Sequence, residues 1–157
     1  SFDPALLDVL VQYKPGYVLM HSQGRPKTMQ HNPSYTDVRR EVREFFEREM
    51  SRLVRAGLPE DRIVLDPGIG FGKTVAQNFA LLAHQAALTR QGFALLAGWS
   101  RKSSLGQVTN RPVEERMVPS VTAAVLAVER GARIVRVHDV AETVSALAVW
   151  QAMHDNE

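Results

Sequence analysis

Apolar positions along the chain switch repeatedly between a helical period and short continuous runs. Between Asp3-Pro4 and Pro15-Gly16, the residues Leu6, Leu7, Val9, Leu10 and Val11 supply the apolar side of a short helix. Asp3 is its N-cap acceptor, and Pro4 sits where a missing N–H costs nothing. Tyr17-Val18-Leu19-Met20 then reads as a buried strand, which empties into a polar loop from His21 to Ser34 containing Gly24, Pro26 and Pro33. Thr36 or Asp37 caps a second helix in which Val38, Val42, Phe45, Phe46, Met50, Leu53 and Val54 recur near the helical repeat, and Gly57 ends it.

The alternation continues. Ile63-Val64-Leu65 is a strand stopped by Asp66-Pro67-Gly68, Ala76 to Leu88 a helix, and Phe93 to Ala97 a strand. A polar turn from Gly98 to Gly106 leads to a helical region, Pro112 to Arg130, in which Pro119 is expected to separate a short helix from a longer one. Ile134-Val135-Arg136-Val137 is the fourth strand, and Asp139 caps a last helix reaching about Met153. One helix followed by four strand–helix units, with strands apolar enough to be buried on both faces, predicts an α/β protein with a parallel sheet. No linker, low-complexity tract or further repeat interrupts residues 1–157, so a single domain is expected.

Composition narrows the function classes. The 157 residues are 45% hydrophobic and 23% charged, as in ordinary soluble globular proteins. Nineteen Lys+Arg against 17 Asp+Glu give a formal net charge of +2 without a basic tract, which argues against nucleic-acid or membrane-surface partners. The absence of cysteine excludes disulfides, thiolate nucleophiles and zinc–thiolate sites. No window approaches the roughly 18 apolar residues of a membrane span or resembles a signal peptide, so a cytoplasmic location is expected. The chain begins with Ser1 instead of Met and reads as a piece of something longer.

The candidate chemistry is positional. Each strand hands over at its carboxyl end to a polar or glycine-rich cluster: His21-Ser22-Gln23-Gly24, Asp66 to Lys73, Gly98 to Ser103, and Arg136-Val137-His138-Asp139. The amino ends carry plain connections such as Pro59-Glu60-Asp61. In parallel α/β folds the carboxyl ends share one rim, where ligands bind, so four clusters imply one site.

Asp66 ends an apolar strand; it either accepts paired N–H donors from a ligand or caps the glycine turn that follows. Gly68, Gly70 and Gly72 beside Lys73-Thr74 suggest a phosphate loop, but Pro67 stands where that motif requires its first glycine. Ser100, Arg101, Lys102 and Ser103 put two cations and two hydroxyls at a strand end, as a functional turn or a solvated loop. Arg136 and His138, two residues apart, are expected on one side of a strand and suit a phosphate or diphosphate; alternatively Arg136 pairs with a carboxylate and His138 caps the last helix. Phe71 could present its ring to a planar ligand, whereas Trp99, Trp150, Phe45 and Phe46 read as packing. His84 falls in a helix, His31 and His154 look exposed, and no His or carboxylate spacing suggests a metal cage.

Four segments in this order resemble the dihydropteroate synthases, the folate-pathway members of the pterin-binding enzymes. They are Leu19-Met-His-Ser-Gln-Gly-Arg-Pro-Lys-Thr-Met-Gln30, Leu65-Asp-Pro-Gly-Ile-Gly-Phe-Gly-Lys73, Gly98-Trp-Ser-Arg-Lys-Ser-Ser-Leu-Gly106 and Arg133-Ile-Val-Arg-Val-His-Asp-Val140. The resemblance implies the second half of a TIM (β/α)8 barrel, strands five to eight with their helices plus the helix following strand four, which agrees with the chain's length, since a complete barrel needs about 250 residues. It implies condensation of 4-aminobenzoate with a dihydropterin methyl diphosphate, releasing diphosphate. It also implies roles by position: Asp66 for the pterin amino-pyrimidine edge; Lys102 beside pterin and aminobenzoate; Met20, Phe71 and Gly98 as pterin-pocket walls; Ser103, with Lys102 and Phe71, near the aminobenzoate; Arg136 and His138 for the diphosphate. Lys102, Arg136 and His138 would be catalytic, Mg2+ would be held from the missing first half, and a homodimer through the last two helices is suggested. A related pterin-dependent methyltransferase, or an inactive fragment, is the alternative; a methyl transfer needs no diphosphate site.

Overall fold

The computed structural model describes residues 3, 5–24, 29, 33–89 and 92–156. Pro4, His31, and Arg25, Pro26, Lys27, Thr28 and Gln30 of the first motif lie outside the described residues. Helix α1 (Leu6–Tyr13) follows a turn in which the Asp3 carboxylate accepts the Ala5 N–H at 2.9 Å. Strand β1 (Tyr17–Met20) leads to the long helix α2 (Val38–Ala56). Of the two candidate caps, Asp37 serves, accepting the N–H groups of Arg39 and Arg40, and Gly57 closes the helix in the left-handed region. Then come β2 (Ile63–Asp66), α3 (Val75–Ala83), α4 (Ala86–Thr89) and β3 (Ala94–Ala97). The chain continues through α5 (Ser103–Thr109), α6 (Met117–Glu129), β4 (Ile134–Val135) and α7 (Val140–His154).

The N-cap of α1 is Ala5 and not Asp3, and four expected element bounds change as well. The helix expected over 76–88 is broken between Ala83 and Ala86, where the buried Gln85 amide donates to Ala127 O at 2.7 Å instead of facing solvent. The turn from Gly98 to Gly106 contains the start of α5, so Gly106 is helical. Pro119 separates nothing: it is the third residue of α6, where an N–H has no acceptor within the helix. Finally, β4 ends at Val135, two residues earlier than its apolar run, although the Arg136 N–H still reaches Ala97 O at 3.0 Å.

The four strands are parallel and lie in chain order, β1-β2-β3-β4. Successive helices pack on their neighbours in the same order. Unbroken order without reversal is the winding of a barrel wall, in contrast to a doubly wound sheet with a switch point. Register then sorts the side chains. Leu19, Leu65 and Leu95 are aligned and buried with Phe46, Leu81 and Ala127 in the core beneath the helices. The opposite face carries Val18, Val64 and Ala94 in one row, with Met20 beside Asp66 and Leu96 beside Ile134. Burial on both faces is therefore not met: Val18 and Ile134, on the outer strands, are each 40% exposed. Among the described residues no helix is long and apolar enough to cross a membrane.

Candidate functional site

Asp66 ends β2 on the face that the helices leave open, yet it is 1% exposed. Of its two expected uses, the cap on the glycine turn is present, and the second oxygen is taken by an arginine. One carboxylate oxygen accepts the Gly68 N–H at 2.8 Å, capping the turn, and the other lies 2.9 Å from the Arg136 guanidinium. Arg136 arrives from the far strand because Gly98, between them, has no side chain: a Cβ there would come within 2.7 Å of the guanidinium. The carboxylate partner resolves the cost of an arginine among apolar residues. Since Arg136 is itself 53% exposed, its remaining N–H groups can still meet an incoming anion.

His138 does not share a strand face with Arg136, because β4 has already ended. Its backbone N–H donates to Ser100 Oγ at 3.1 Å and its Nδ1 lies 2.9 Å from the same oxygen, which ties the ring to the turn after β3. Asp139 is the N-cap residue of α7 without making a side-chain cap. Its carboxylate instead takes Arg101 in a two-pronged pair at 2.6 and 3.3 Å, which draws it below the ordinary carboxylate range. Arg101 adopts a left-handed backbone (φ 58°) to do so, its N–H held by Ser120 Oγ. Of the two cations in the Ser-Arg-Lys-Ser turn, Arg101 is thus a staple between turns, and Lys102 is the one offered to the site.

Lys102 Nζ sits 4.1 Å from the centre of the Phe71 ring, a cation–π contact. Burial, then the positive charge of Arg136, lower its pKa, against the opposing pull of Asp66. Asp66, Lys102 and Arg136 therefore share one electrostatic neighbourhood, with Met20 in register beside Asp66. Ser103, the exposed first residue of α5, lines a cavity of about 460 Å3 with Pro33, Lys73, Thr74 and Gln107. All the sequence-nominated residues lie on the carboxyl rim of the sheet.

Three residues of the rim have partners that the sequence did not reveal, and one of them, Asn78, was not among the rim clusters at all. Lys73, which is excluded from a phosphate loop, is 4% exposed, with its ammonium 3.0 Å from His21 Nδ1, 3.0 Å from Gly68 O and 3.1 Å from Phe71 O. His21 is correspondingly pushed down to about 3, chiefly by burial and then by Lys73. Asn78, on α3, accepts the Gly70 N–H at 3.0 Å and donates to Ser104 Oγ at 2.9 Å. Asn78 is 1% exposed and lies on the buried side of α3 with Leu81 and Leu82, and a single asparagine within a helix gives no sequence signal of such a role. Among the described residues no three His, Asp or Glu side chains are grouped to hold a metal.

A family model described as pterin binding enzyme matches residues 1–138. The dihydropteroate synthase of Neisseria meningitidis serogroup B is 48% identical over 149 residues, covering 92% of this chain and 52% of that protein. A Yersinia pestis dihydropteroate synthase solved with a sulfonamide drug complex superposes with a TM-score of 0.96 at 42% identity, over 99% of this chain and 57% of that one. The Xanthomonas albilineans enzyme in complex with 7,8-dihydropteroate gives 0.90 at 43% identity, over 97% and 55%. The chain spans about half the length of the curated relatives it matches, and its sheet is correspondingly half of their TIM (β/α)8 barrel. With the motifs, the unbroken strand order and the rim in agreement with that match, the chain belongs to the pterin-binding enzyme family.

Proposed function

We propose that the complete protein is a dihydropteroate synthase, and that this chain supplies the pterin-edge, aminobenzoate and diphosphate contacts of its site. The observation that carries this reading is the buried Asp66 carboxylate facing an exposed guanidinium on Arg136, with the Lys102 ammonium in the same neighbourhood. A carboxylate that is all but removed from water binds a paired N–H edge strongly, and the cations beside it suit an anionic leaving group.

In the reaction the aminobenzoate nitrogen forms a bond to the methylene carbon while the carbon–oxygen bond to diphosphate breaks; the amine's extra proton passes to solvent. Asp66 accepts the amino-pyrimidine N–H donors and fixes the pterin, with Met20, Phe71 and Gly98 as walls. Arg136 and His138 hold the departing diphosphate. Lys102, on the Phe71 ring, lies between pterin and aminobenzoate, and Ser103 offers its hydroxyl towards the aminobenzoate from the adjoining cavity. Catalysis then consists mainly of positioning and of stabilising charge that develops on the leaving group. A magnesium ion accompanying the diphosphate would take its protein ligand from outside these residues, and none of these steps runs through it.

A cytoplasmic location and a homodimer complete the proposal. Support for the dimer comes from α7, whose Val140, Val144 and Val149 are 60, 60 and 73% exposed. The test is release of diphosphate by the full-length polypeptide given dihydropterin methyl diphosphate and 4-aminobenzoate. Release dependent on both substrates is expected, and none would overturn the proposal.

A further inference from the structure

We infer that Lys73 is a positioning residue that clamps the glycine turn 68–72 so that Phe71 meets Lys102. This deepens the synthase reading and rests on it for the substrate concerned, but the clamp itself stands on geometry.

The turn from Gly68 to Gly72 has no regular secondary structure and three glycines with positive φ, of 68, 79 and 66°, so it needs ties to hold one shape. The Phe71 N–H closes back on Gly68 O at 3.1 Å, Asp66 caps the Gly68 N–H and the Tyr35 hydroxyl donates to Gly72 O at 2.9 Å. Two further side chains brace the turn around Phe71 itself. On one side, the Lys73 ammonium reaches back over the turn to Gly68 O and Phe71 O at 3.0 and 3.1 Å, and across to His21 Nδ1 at 3.0 Å. An ammonium has three protons and no acceptor, so these contacts use all its donors and make Nδ1 the acceptor, leaving the imidazole proton on Nε2. On the other side, Asn78 accepts from Gly70 N–H and donates to Ser104, the second residue of α5. Phe71 is thus carried between a tie to the β1 end and a tie to the helix that begins just after Lys102.

The approach is close enough to need these ties. A Cβ on Gly68 would collide with the His21 carbonyl oxygen, and one on Gly70 would come within 3.1 Å of the Lys102 side chain. Lys73 has no unspent donor for a ligand, and at 4% exposure it is not presented to one. Its charge acts through the turn, and the group that meets ligand is Phe71. With the proposed roles, loosening the turn disturbs the ring shared by the Lys102 contact and the aminobenzoate while leaving Asp66 on the pterin.

The test uses the full-length polypeptide and Lys73→Met, which keeps the length of the side chain and removes the ammonium. Hydrogen exchange of the amides at 68–72 should rise at least tenfold, with the protection of β2 and α2 unchanged. The KM for 4-aminobenzoate should rise about tenfold or more, and pterin affinity by calorimetry should fall by a smaller factor, since Phe71 is one wall of the pterin pocket while Asp66 stays in place. In a Phe71→Ala background, Lys73→Met should add little, because the ring it positions is already gone. If Lys73→Met does not fold, Asn78→Ala cuts the opposite tie and should produce the same pattern.

Unchanged exchange at 68–72 would overturn the clamp whatever the activity. Additive losses in the double variant, or a KM that does not move, would overturn the role towards the second substrate. A wild-type protein that releases no diphosphate would overturn the synthase reading instead, and the exchange result would still decide the clamp.

Discussion

Two side chains at residue scale show how the rim balances charge. Asp66 has one oxygen committed to the turn and one to Arg136, so replacing it with Asn removes a charged acceptor and leaves a half-exposed guanidinium without its partner. Asp66→Asn in the full-length protein is expected to weaken pterin binding by about 1.5–3 kcal/mol, the scale of a hydrogen bond to a charged group. Calorimetry with a pterin ligand measures it, and unchanged affinity would remove Asp66 from its proposed role. His21 carries the pH signature. Its pKa in the fold is about 3 against an ordinary 6.5, so between those values the unfolded chain binds a proton that the native state does not. This contribution to stability is complete above pH 6.5 and is lost as pH falls towards 3. Lys73, pulled down to about 7 by burial and by Lys102 against the opposing effect of Asp66, gives a slope of the same sign between its ordinary 10.5 and 7. Between pH 6.5 and 5, the melting temperature of the wild type should therefore fall more steeply than that of His21→Asn; parallel curves would refute the assignment.

At the scale of elements, the legible parts were those governed by periodicity and caps. The bounds of α2 could be read from Asp37 and Gly57 because each end has a local chemical cause. The break after Ala83 could not, since it depends on Gln85 reaching Ala127 O, 42 residues away in sequence. Pro119 misled because proline is compatible with a first turn as well as with a break, and which applies depends on where the helix starts. The apolar run at β4 overstated the strand, which ends at Val135 although the Arg136 N–H still bonds Ala97 O, while the Arg136 side chain turns to Asp66. For the site, every rim cluster was visible as polar residues following apolar ones. The Lys73–His21 and Asn78–Ser104 ties were not, because each joins segments whose proximity only the fold creates. Helix α3 offers a direct measurement of a local cause: the Thr74 hydroxyl accepts the Gln77 N–H while the Gln77 side chain returns the bond to Thr74 N–H. Thr74→Ala should cost about 1 kcal/mol in urea unfolding with an unchanged denaturant slope.

For the molecule as a whole, the sheet is finished on one face only. Leu19, Leu65 and Leu95 are covered by helices, while Val18 and Ile134 remain 40% exposed on the other side, at outer strands β1 and β4. Open strand edges beside an apolar face are prone to self-association. A polypeptide consisting of residues 1–157 alone is therefore expected to sediment as oligomers and to show negligible diphosphate release, whereas the full-length protein does not depend on such association to cover this face. A monodisperse, active 17.5 kDa monomer would contradict that expectation.

The Asp66–Arg136 pair has a thermodynamic consequence. While the cleft is empty the two charges satisfy each other, so a heterocycle that claims the acid liberates the base for an anion, and an anion that draws off the base liberates the acid. The two guests should then be cooperative, each tightening the other by one common factor, as linkage requires. Titrating a phosphate-free pterin with and without diphosphate, and the reverse, should return equal ratios above one; a ratio of one would mean that the bridge never opens.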